Sequence, residues 1–287
     1  MWETVWHIIE HTLIDSLKML PFLFVAYLLI EMLEHKASDK LQHALSRSGN
    51  FGIVVGALLG CVPQCGFSVA AANFYSGRII TLGTMMSVFL ATSDEAVPML
   101  LSAPGKAGMI FQLILIKIVI AVVAGFGIDL VLKMRHSKDG RPEIHDHNVL
   151  CEHCDCEKDG VLKSAVKHTL SIFLFILLIT LILNALMELI GESLLSKILL
   201  TDSVFQPLVA GAIGLIPNCA ASVMLVQLYI SGSLSFGSVV AGLCTGAGLG
   251  LAVLFRTHKG WKKNLGILLL LYAIGSAAGM LVSLFFH

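Results

Sequence analysis

Two short polar motifs interrupt an otherwise apolar chain, and the second is a copy of the first. Pro63-Gln64-Cys65 recurs as Pro217-Asn218-Cys219 at a shift of 154 residues, and each copy lies inside a long apolar segment. Proline ends a helix because it lacks an amide donor and clashes with the preceding turn. Backbone freed in this way persists at membrane depth only where it is buried in protein or lines a cavity. Paired breaks of this kind are typical of the substrate site of a secondary transporter, and a packing kink is the alternative.

The side chains around the two breaks are candidate ligands. The thiols suit soft metals or arsenite, whereas the amide oxygens suit a harder cation such as manganese. The two serines one turn further on either line the same pathway or bond a neighbouring helix. The predicted substrate ligands at the breaks are Gln64, Cys65, Ser68, Asn218, Cys219 and Ser222.

A second cluster, Thr92-Ser93-Asp94-Glu95, lies in the middle of the apolar segment 81–101. Carboxylates inside a membrane are costly unless they face a cavity or a partner, so they are functional candidates. We expect the two carboxylates to bind a cation or to couple transport to protons, with the two hydroxyl groups nearby. Pairing of one carboxylate with the buried Lys117 is the alternative.

The matching stretch of the second half is Gly246-Ala247-Gly248-Leu249, which carries no charge and directly follows Thr245. Glycine lets backbone come close to a bound ion or to the opposing break. We therefore expect Thr245 beside the site, and the halves to contribute unequally to it.

The third polar feature is the segment that joins the two halves. Imidazole and thiolate ligands suit zinc, copper or cadmium, and thiols also suit trivalent arsenic. Because the spacing fits no standard zinc module, the segment is predicted to capture or sense metal, with bound Zn²⁺ as one occupant; a solvated linker is the alternative. Its candidate ligands are His145, His147, Cys151, His153, Cys154 and Cys156.

Composition sets the class of the protein. The chain has 287 residues, of which 56% are hydrophobic and 13% charged, and its mean hydropathy is +0.87. Apolar runs long enough to cross a bilayer recur along its length, which indicates an integral membrane protein. The formal net charge is zero, so no basic surface points to nucleic acid. Four cysteines lie in apolar segments and three in the joining segment: Cys61, Cys65, Cys219, Cys244, Cys151, Cys154 and Cys156.

The predicted fold is an all-α, polytopic membrane protein built from two inverted repeats. Each repeat has three spans and one Pro-broken, re-entrant helical hairpin. The repeats cover residues 1–133 and 164–287, and a Cys/His-rich cytoplasmic loop covers residues 134–163. The predicted continuous spans are 13–33, 81–101, 108–132, 165–190, 236–255 and 264–286, and the hairpins are 51–76 and 205–230.

Charge placement favours the hairpin interpretation. If the broken segments re-enter and both termini lie outside, the basic clusters at 36–47, 133–141 and 256–263 are all cytoplasmic. If both broken segments crossed the membrane fully, one of the first two basic clusters would lie outside the cell, against the positive-inside rule. Three spans per half then invert the second half, so the two Pro-x-Cys tips are predicted to meet near the midplane.

With these motifs assembled, the chain resembles a bacterial family of ten-span heavy-metal exporters, whose members are labelled arsenic efflux proteins or manganese transporters. The resemblance implies location in the bacterial inner membrane. Ten spans agree with the six spans and four hairpin arms predicted above. The motifs that carry the resemblance are residues 63–68 (PQCGFS), 91–98 (ATSDEAVP), 214–219 (GLIPNC) and 242–248 (GLCTGAG).

The function expected from these features is export of a metal or metalloid, such as Mn²⁺ or another heavy metal, by alternating access. An efflux permease for arsenite or organoarsenicals is one alternative, and a membrane metal sensor is another. An enzyme is not expected, because a cysteine nucleophile needs a nearby base and no histidine lies deep within the apolar spans. No nucleotide-binding P-loop occurs, so no cofactor is required and a coupling proton or ion supplies the energy. The cargo ion and the lipid bilayer are the other expected partners, and a homodimer is left open.

Overall fold

The computed structural model describes residues 17, 20–21, 24–25, 27–28, 49–93, 96–102, 107–139, 161–190, 205–258 and 260–285. Within these ranges every regular element is an α-helix, in agreement with the predicted fold class. Asp94, Glu95 and all six candidate ligands of the joining segment lie outside the described residues. The helices are α1 Gly49–Gly60, α2 Gly66–Ser76, α3 Leu82–Ala91, α4 Ala96–Ser102, α5 Ala107–Asp139, α6 Val161–Ile190, α7 Gln206–Gly214, α8 Cys219–Ile230, α9 Phe236–Thr245, α10 Leu249–Thr257 and α11 Trp261–Phe285.

The repeat found in the sequence is also a repeat of helices. The run from α1 to α5 corresponds, element by element, to the run from α7 to α11. Five boundaries coincide at the shift of 154 residues, namely Gly60 with Gly214, Ser76 with Ile230, Leu82 with Phe236, Ala91 with Thr245 and Ala107 with Trp261. The two halves therefore share one order of helices and breaks.

Packing also repeats, within the halves and between them. In the first half α3 packs between α1 and α5, and in the second half α9 packs between α7 and α11. Across the halves, α2 packs on α10 and α8 packs on α4, so each half sends the arm after its Pro break to the other half. The last nine residues of α3 and of α9 are buried, which makes these two helices the core of the molecule.

The outer helices present apolar side chains to the outside. Along α5, Phe111, Leu115, Val119 and Val123 are spaced four residues apart and are all at least half exposed. Four-residue spacing places them on one face of the helix. A continuous exposed apolar face of this kind is suited to lipid.

Three described helical segments are long and apolar enough to cross a membrane. They are Gly108–Met134 with 27 residues, Phe236–Thr257 with 22, which runs through α9 and α10 and the short break between them, and Trp261–Phe285 with 25. At 1.5 Å per residue, about 20 residues cross a hydrocarbon core of roughly 30 Å. The chain is thus built as a multi-pass membrane protein.

Two predicted spans were wrong in one respect, because neither 81–101 nor 236–255 is a continuous helix. The first helix ends at Ala91 and the next begins at Ala96, while in the second half the break lies between Thr245 and Leu249. Thr92 leaves the helical region with φ −52° and ψ 127°. Each half therefore contains two breaks, one at its proline and one in its central helix.

The N-termini of the two central helices are held by matched hydrogen bonds. The Thr81 hydroxyl accepts from the Thr84 amide at 3.1 Å, and its counterpart Ser235 accepts from the Ser238 amide at 3.3 Å. Such caps satisfy amide groups that the helix itself leaves unpaired. A third side chain supports each cap, and it differs between the halves.

In the first half this support is the carboxylate of Asp129, on α5. It accepts from the Gly83 amide at 2.8 Å and from the Thr81 hydroxyl at 2.7 Å. In the second half it is the amide of Gln206, on α7, whose oxygen accepts from the Ser235 amide at 3.0 Å and the Ser238 hydroxyl at 2.9 Å. The same backbone feature is thus stabilised by unrelated residues.

Candidate functional site

The first Pro break lies between α1 and α2, as predicted. The Gln64 amide donates to the Val62 carbonyl at 2.7 Å, which closes a tight turn around Pro63. Cys65 occupies the N-cap position of α2, and its carbonyl accepts from the Ser68 hydroxyl at 2.8 Å. Val62 and Pro63 are exposed, whereas Gln64 and Cys65 are half-buried and Ser68 is buried. The tip therefore borders accessible space.

The second Pro break repeats this geometry. The Asn218 amide donates to the Ile216 carbonyl at 2.7 Å, and the Ala221 amide donates to the Asn218 carbonyl at 3.2 Å. Their counterparts at the first break are 2.7 Å and 3.3 Å long. Asn218 is buried and Cys219 is half-buried. The sequence repeat thus encodes a repeat of the turn itself.

Each tip contacts the end of the central helix in its own half. A Cβ atom added to Gly60 would lie 2.6 Å from the Val88 carbonyl oxygen and 2.9 Å from the Ala91 Cβ. At Gly214 an added Cβ would collide with the Gly242 carbonyl oxygen. The repeated glycine is required because the two backbones touch.

The hydroxyl groups predicted beside the site are all used in ending the central helices. Thr92 Oγ1 donates to the Val88 carbonyl at 2.8 Å, and Ser93 Oγ donates to the Ala91 carbonyl at 3.1 Å. Thr245 Oγ1 lies 3.0 Å from the Gly242 carbonyl oxygen in the last turn of α9 and 2.7 Å from the Gly211 carbonyl oxygen of α7. All three residues are buried. Because the hydroxyl protons are donated to carbonyl groups, the lone pairs of these oxygens remain as acceptors for a cation.

The break in the second central helix depends on Gly248. This residue has φ +54° and ψ −143°, a region that L side chains rarely adopt. It precedes the first residue of α10, so the strained position redirects the chain after α9 ends. Its counterpart in the first half is position 94, where the sequence has an aspartate.

The two predicted serines both face this second-half break. A Cβ on Gly246 would lie 3.5 Å from Ser222 Oγ, and a Cβ on Gly250 would lie 2.8 Å from the Ser68 Cβ. Ser68 belongs to the first half, so the first hairpin reaches the break of the second half. The contact lies in the first turn of α10, directly after the break, and joins α2 of the first half to the second half close to the predicted site.

Lys117 provides the second junction between the halves. Its ammonium group is fully buried and donates to the Thr92 carbonyl and, at 2.8 Å, to the Leu243 carbonyl. These carbonyls lie at the C-terminal ends of α3 and α9, where helix dipoles favour positive charge. Lys117 was considered only as a partner for Asp94 or Glu95, and its role as a link between two helix ends was missed.

The described residues contain no group of three or more His, Cys, Asp or Glu side chains placed to hold a metal ion. Neither Cys65 nor Cys219 therefore belongs to such a group within the described part of the chain. The hydroxyl and amide groups named above surround the breaks, but their ligand roles stay predictions.

Comparison with known proteins adds one match. The model of a protein family described as "Putative, 10TM heavy-metal exporter" matches residues 12–196 and 180–287. No curated protein and no solved structure matches the chain. The two matched ranges together run through both halves and the segment between them.

Proposed function

The chain belongs to this family of heavy-metal exporters, and we propose that it carries a metal or metalloid ion out of the cytoplasm as a secondary transporter. The observation that supports this proposal best is the meeting of broken helices from both halves around Lys117. Discontinuous helices near the midplane are a recurring way to build a transport site, because their free backbone groups and helix ends bind charged cargo.

The second part of the proposal is that the two halves are inverted repeats with re-entrant hairpins. The matched helix order, the exchange of α2 and α8 between halves and the distribution of basic residues all support it. Both termini would then lie outside, and the protein would lie in a bacterial inner membrane.

Alternating access would follow from movement of one half against the other. The contacts between halves that would have to change include Ser68 against Gly250, the Ser76 and Thr257 hydroxyl groups at 2.8 Å, and the stacked rings of Tyr75 and His258 at 5.3 Å. The first two of these contacts are between small residues, whereas the third would unstack two rings. The Lys117 hydrogen bonds would act as the more persistent hinge between the two central helices.

The proposed cargo site lies between the hairpin tips and the breaks of α3 and α9. Oxygen ligands from Gln64, Asn218 and the carboxylates at 94 and 95 suit Mn²⁺. The thiols of Cys65 and Cys219 suit arsenite or a soft metal, which is the alternative cargo. Asp94 and Glu95 would also supply proton coupling, and the Cys/His loop would collect cargo from the cytoplasm.

Flux into inverted membrane vesicles tests this function, with Mn²⁺, Zn²⁺, Cd²⁺ and arsenite as the panel. We expect uptake of at least one ion and its loss in Asp94→Asn. Asp129→Asn is the matched control, because the amide oxygen can accept from the Gly83 amide while the amide NH2 donates to the Thr81 hydroxyl oxygen. Deletion of residues 143–157 should lower uptake at limiting cargo only.

If the parent chain moves none of the four ions, the exporter proposal fails. Equal flux in Asp94→Asn and the parent would remove that carboxylate from the site.

A further inference from the structure

We propose that Tyr75 and Tyr229 are the two gates of the transport pathway, one at each side of the membrane. The two residues correspond at the shift of 154 residues and lie in the last turns of α2 and α8, the arms that follow the Pro breaks. Each tyrosine contacts a residue of the other half, and the two contacts lie at opposite ends of the molecule. The proposal rests on the exporter function proposed above and names the residues that would close its pathway.

The first contact joins Tyr75 to His258. Their rings are stacked, with centroids 5.3 Å apart and an angle of 26° between the planes. Tyr75 belongs to the first half, and His258 directly follows α10 in the second half. Asn264 of α11 holds His258 in place, because its Oδ1 atom lies 2.7 Å from the His258 Nδ1 and its side-chain nitrogen donates to the His258 carbonyl at 3.0 Å. Tyr75 therefore packs on a fixed surface of the other half.

The second contact joins Tyr229 to Met109. The Tyr229 hydroxyl donates to the Met109 sulfur at 2.9 Å. Met109 lies in the first turn of α5, so this contact again joins the arm of one half to the other half. The Tyr229 ring also packs against Phe236 in its own half, with centroids 5.9 Å apart. The repeat thus places the same side chain against the other half twice, although the partners differ.

The helix α5 shows that the two contacts lie far apart. Met109 is near its N-terminus, whereas Asp129, 20 residues further on, holds the N-terminus of α3. Twenty residues of helix span about 30 Å, the thickness of the hydrocarbon core of a membrane. The connection from α2 to α3, residues 77–81, is short, so Tyr75 lies at the Asp129 end. Tyr229 lies at the opposite end, beside Met109.

The helix α11 gives the same order independently. Asn264, which holds His258, lies in its first turn. Near its C-terminus, Ser283 packs so closely against Gly237, at the start of α9, that a Cβ added to this glycine would collide with it. The connection from α8 to α9, residues 231–235, is short, so Tyr229 lies at this C-terminal end. Two long helices therefore place the tyrosines at opposite ends of the membrane-spanning region.

The two contacts lie on either side of the proposed cargo site. Lys117, which binds carbonyls at the ends of α3 and α9, is eight residues from Met109 and twelve from Asp129 along α5. At 1.5 Å per residue, its level lies about 12 Å from one end and about 18 Å from the other. An ion between the hairpin tips would have one tyrosine contact above it and one below. Opening one contact while the other stays closed would give alternating access.

The distribution of charge assigns each gate to a side. The exposed basic residues Arg78, Arg256, Lys262 and Lys263 all lie at the Tyr75 end. By the positive-inside rule this end faces the cytoplasm. Tyr75 would therefore be the cytoplasmic gate, and Tyr229 would be the outer gate.

Thiol labelling from one side of the membrane tests the gates without requiring transport. The reporters are Cys65 and Cys219, at the hairpin tips between the proposed gates. A membrane-impermeant maleimide is added in excess to inverted or to right-side-out vesicles, and peptide mass spectrometry gives the labelling rate of each cysteine. We expect Tyr75→Ala to raise both rates from the cytoplasmic side only, and Tyr229→Ala to raise them from the outside only. Because a minor open state is populated at roughly 0.1–10%, the rise should be about tenfold or more.

Tyr272→Ala is the matched control. The Tyr272 hydroxyl donates to a carbonyl of α7 at 3.2 Å, so this tyrosine joins two helices of the same half, and its loss should leave the labelling rates unchanged. Tyr75→Phe keeps the stacked ring and should behave like the parent chain. His258→Ala and Met109→Ala remove the same two contacts from the opposite side and should reproduce the two gate variants. If a tyrosine variant does not elute as the parent does on size exclusion, its partner variant decides.

A rise from both sides in either gate variant, or no rise in Tyr75→Ala and His258→Ala, would overturn the gates. Vesicle flux separates this proposal from the exporter function. A chain that moves an ion of the panel, but whose variants show no change in labelling restricted to one side, would refute the gates and leave the exporter function intact. One-sided labelling in a chain that moves no ion of the panel would refute the exporter function and leave the tyrosines as the closures of a cavity.

Discussion

Replacing Gly248 with alanine should destabilise the protein, because this residue holds the break between α9 and α10 in a conformation reserved for glycine. Its φ of +54° and ψ of −143° lie outside the left-handed helical region and outside every region that L residues favour. A residue held in such backbone costs about 1–3 kcal/mol. We therefore expect Gly248→Ala to lower the free energy of unfolding by about that amount.

Two other glycines provide controls, because alanine at these positions should not lower the free energy of unfolding. Gly127 on α5 and Gly266 on α11 have open space where a Cβ would be added. Alanine is favoured over glycine inside a helix by about 0.5–1 kcal/mol. Gly127→Ala and Gly266→Ala should therefore be neutral or stabilising in the same assay.

Gly248→Asn sharpens the test. Asparagine tolerates the left-handed helical region better than other residues, but that region has ψ near +47° rather than −143°. Gly248→Asn should thus be as unstable as Gly248→Ala. Denaturant unfolding in detergent micelles, followed by tryptophan fluorescence, gives the differences. A Gly248→Ala variant as stable as Gly266→Ala would refute the claim that this backbone conformation requires glycine. If Gly248→Asn were as stable as the parent chain, residue 248 would have to adopt the left-handed helical conformation instead.

Two further predictions concern single buried charges. Lys117→Met removes the donor from two helix-end carbonyls, and leaving each carbonyl unpaired costs about 1–3 kcal/mol. The variant no longer has to bury an ammonium group, which offsets part of that loss. We therefore expect the free energy of unfolding to fall by about 1–3 kcal/mol and flux to be lost. Leu271→Met, at the equivalent buried position of α11, should change neither quantity, and equal unfolding curves for the two variants would contradict the bridging role. Asp129→Ala should cost about 2–4 kcal/mol in the same unfolding assay, because it removes a helix cap and a charged acceptor. Asp129→Asn should retain most of that stability, since an amide serves the equivalent cap in the second half, and a loss as large as that of alanine would show that charge is essential there.

The Pro breaks could be predicted from the sequence because their cause is local. Pro63 and Pro217 end a helix wherever they occur, and the same turn forms at both. The all-helical architecture was predictable for a similar reason, since long apolar segments in a membrane must satisfy their backbone internally.

The breaks in the central helices were harder to foresee. Segment 81–101 contains no proline before position 98, and its break begins at Thr92, a residue that helices tolerate. In the second half, Gly246 and Gly248 suggested close approach of backbone, but the positive φ of Gly248 depends on the path of the whole chain. Tertiary packing, rather than local preference, decides where these helices end.

The bridging role of Lys117 was missed for a different reason. A repeat draws attention to residues that occur twice, and the counterpart of Lys117 is Leu271. The positions shared by the halves are the glycines, prolines and helix caps that shape the backbone, together with the cysteines of the two Pro-x-Cys motifs. The buried lysine occurs once.

The two halves share the residues that shape their backbone but do not share Lys117, and this difference is relevant to the proposed transport cycle. In a protein with two inverted halves, exchange of their conformations can open the site to either side of the membrane without moving the ligands far. In the cycle proposed above, symmetry would be needed in the parts that exchange, namely the turns at 62–64 and 216–218 and the contacts of Gly60 and Gly214. It would not be needed where one lysine serves both halves at once. Lys117 does so by binding carbonyls at the ends of α3 and α9. In the proposed cycle a residue at such a position would keep its partners in both conformations, so it need not be duplicated in the second half.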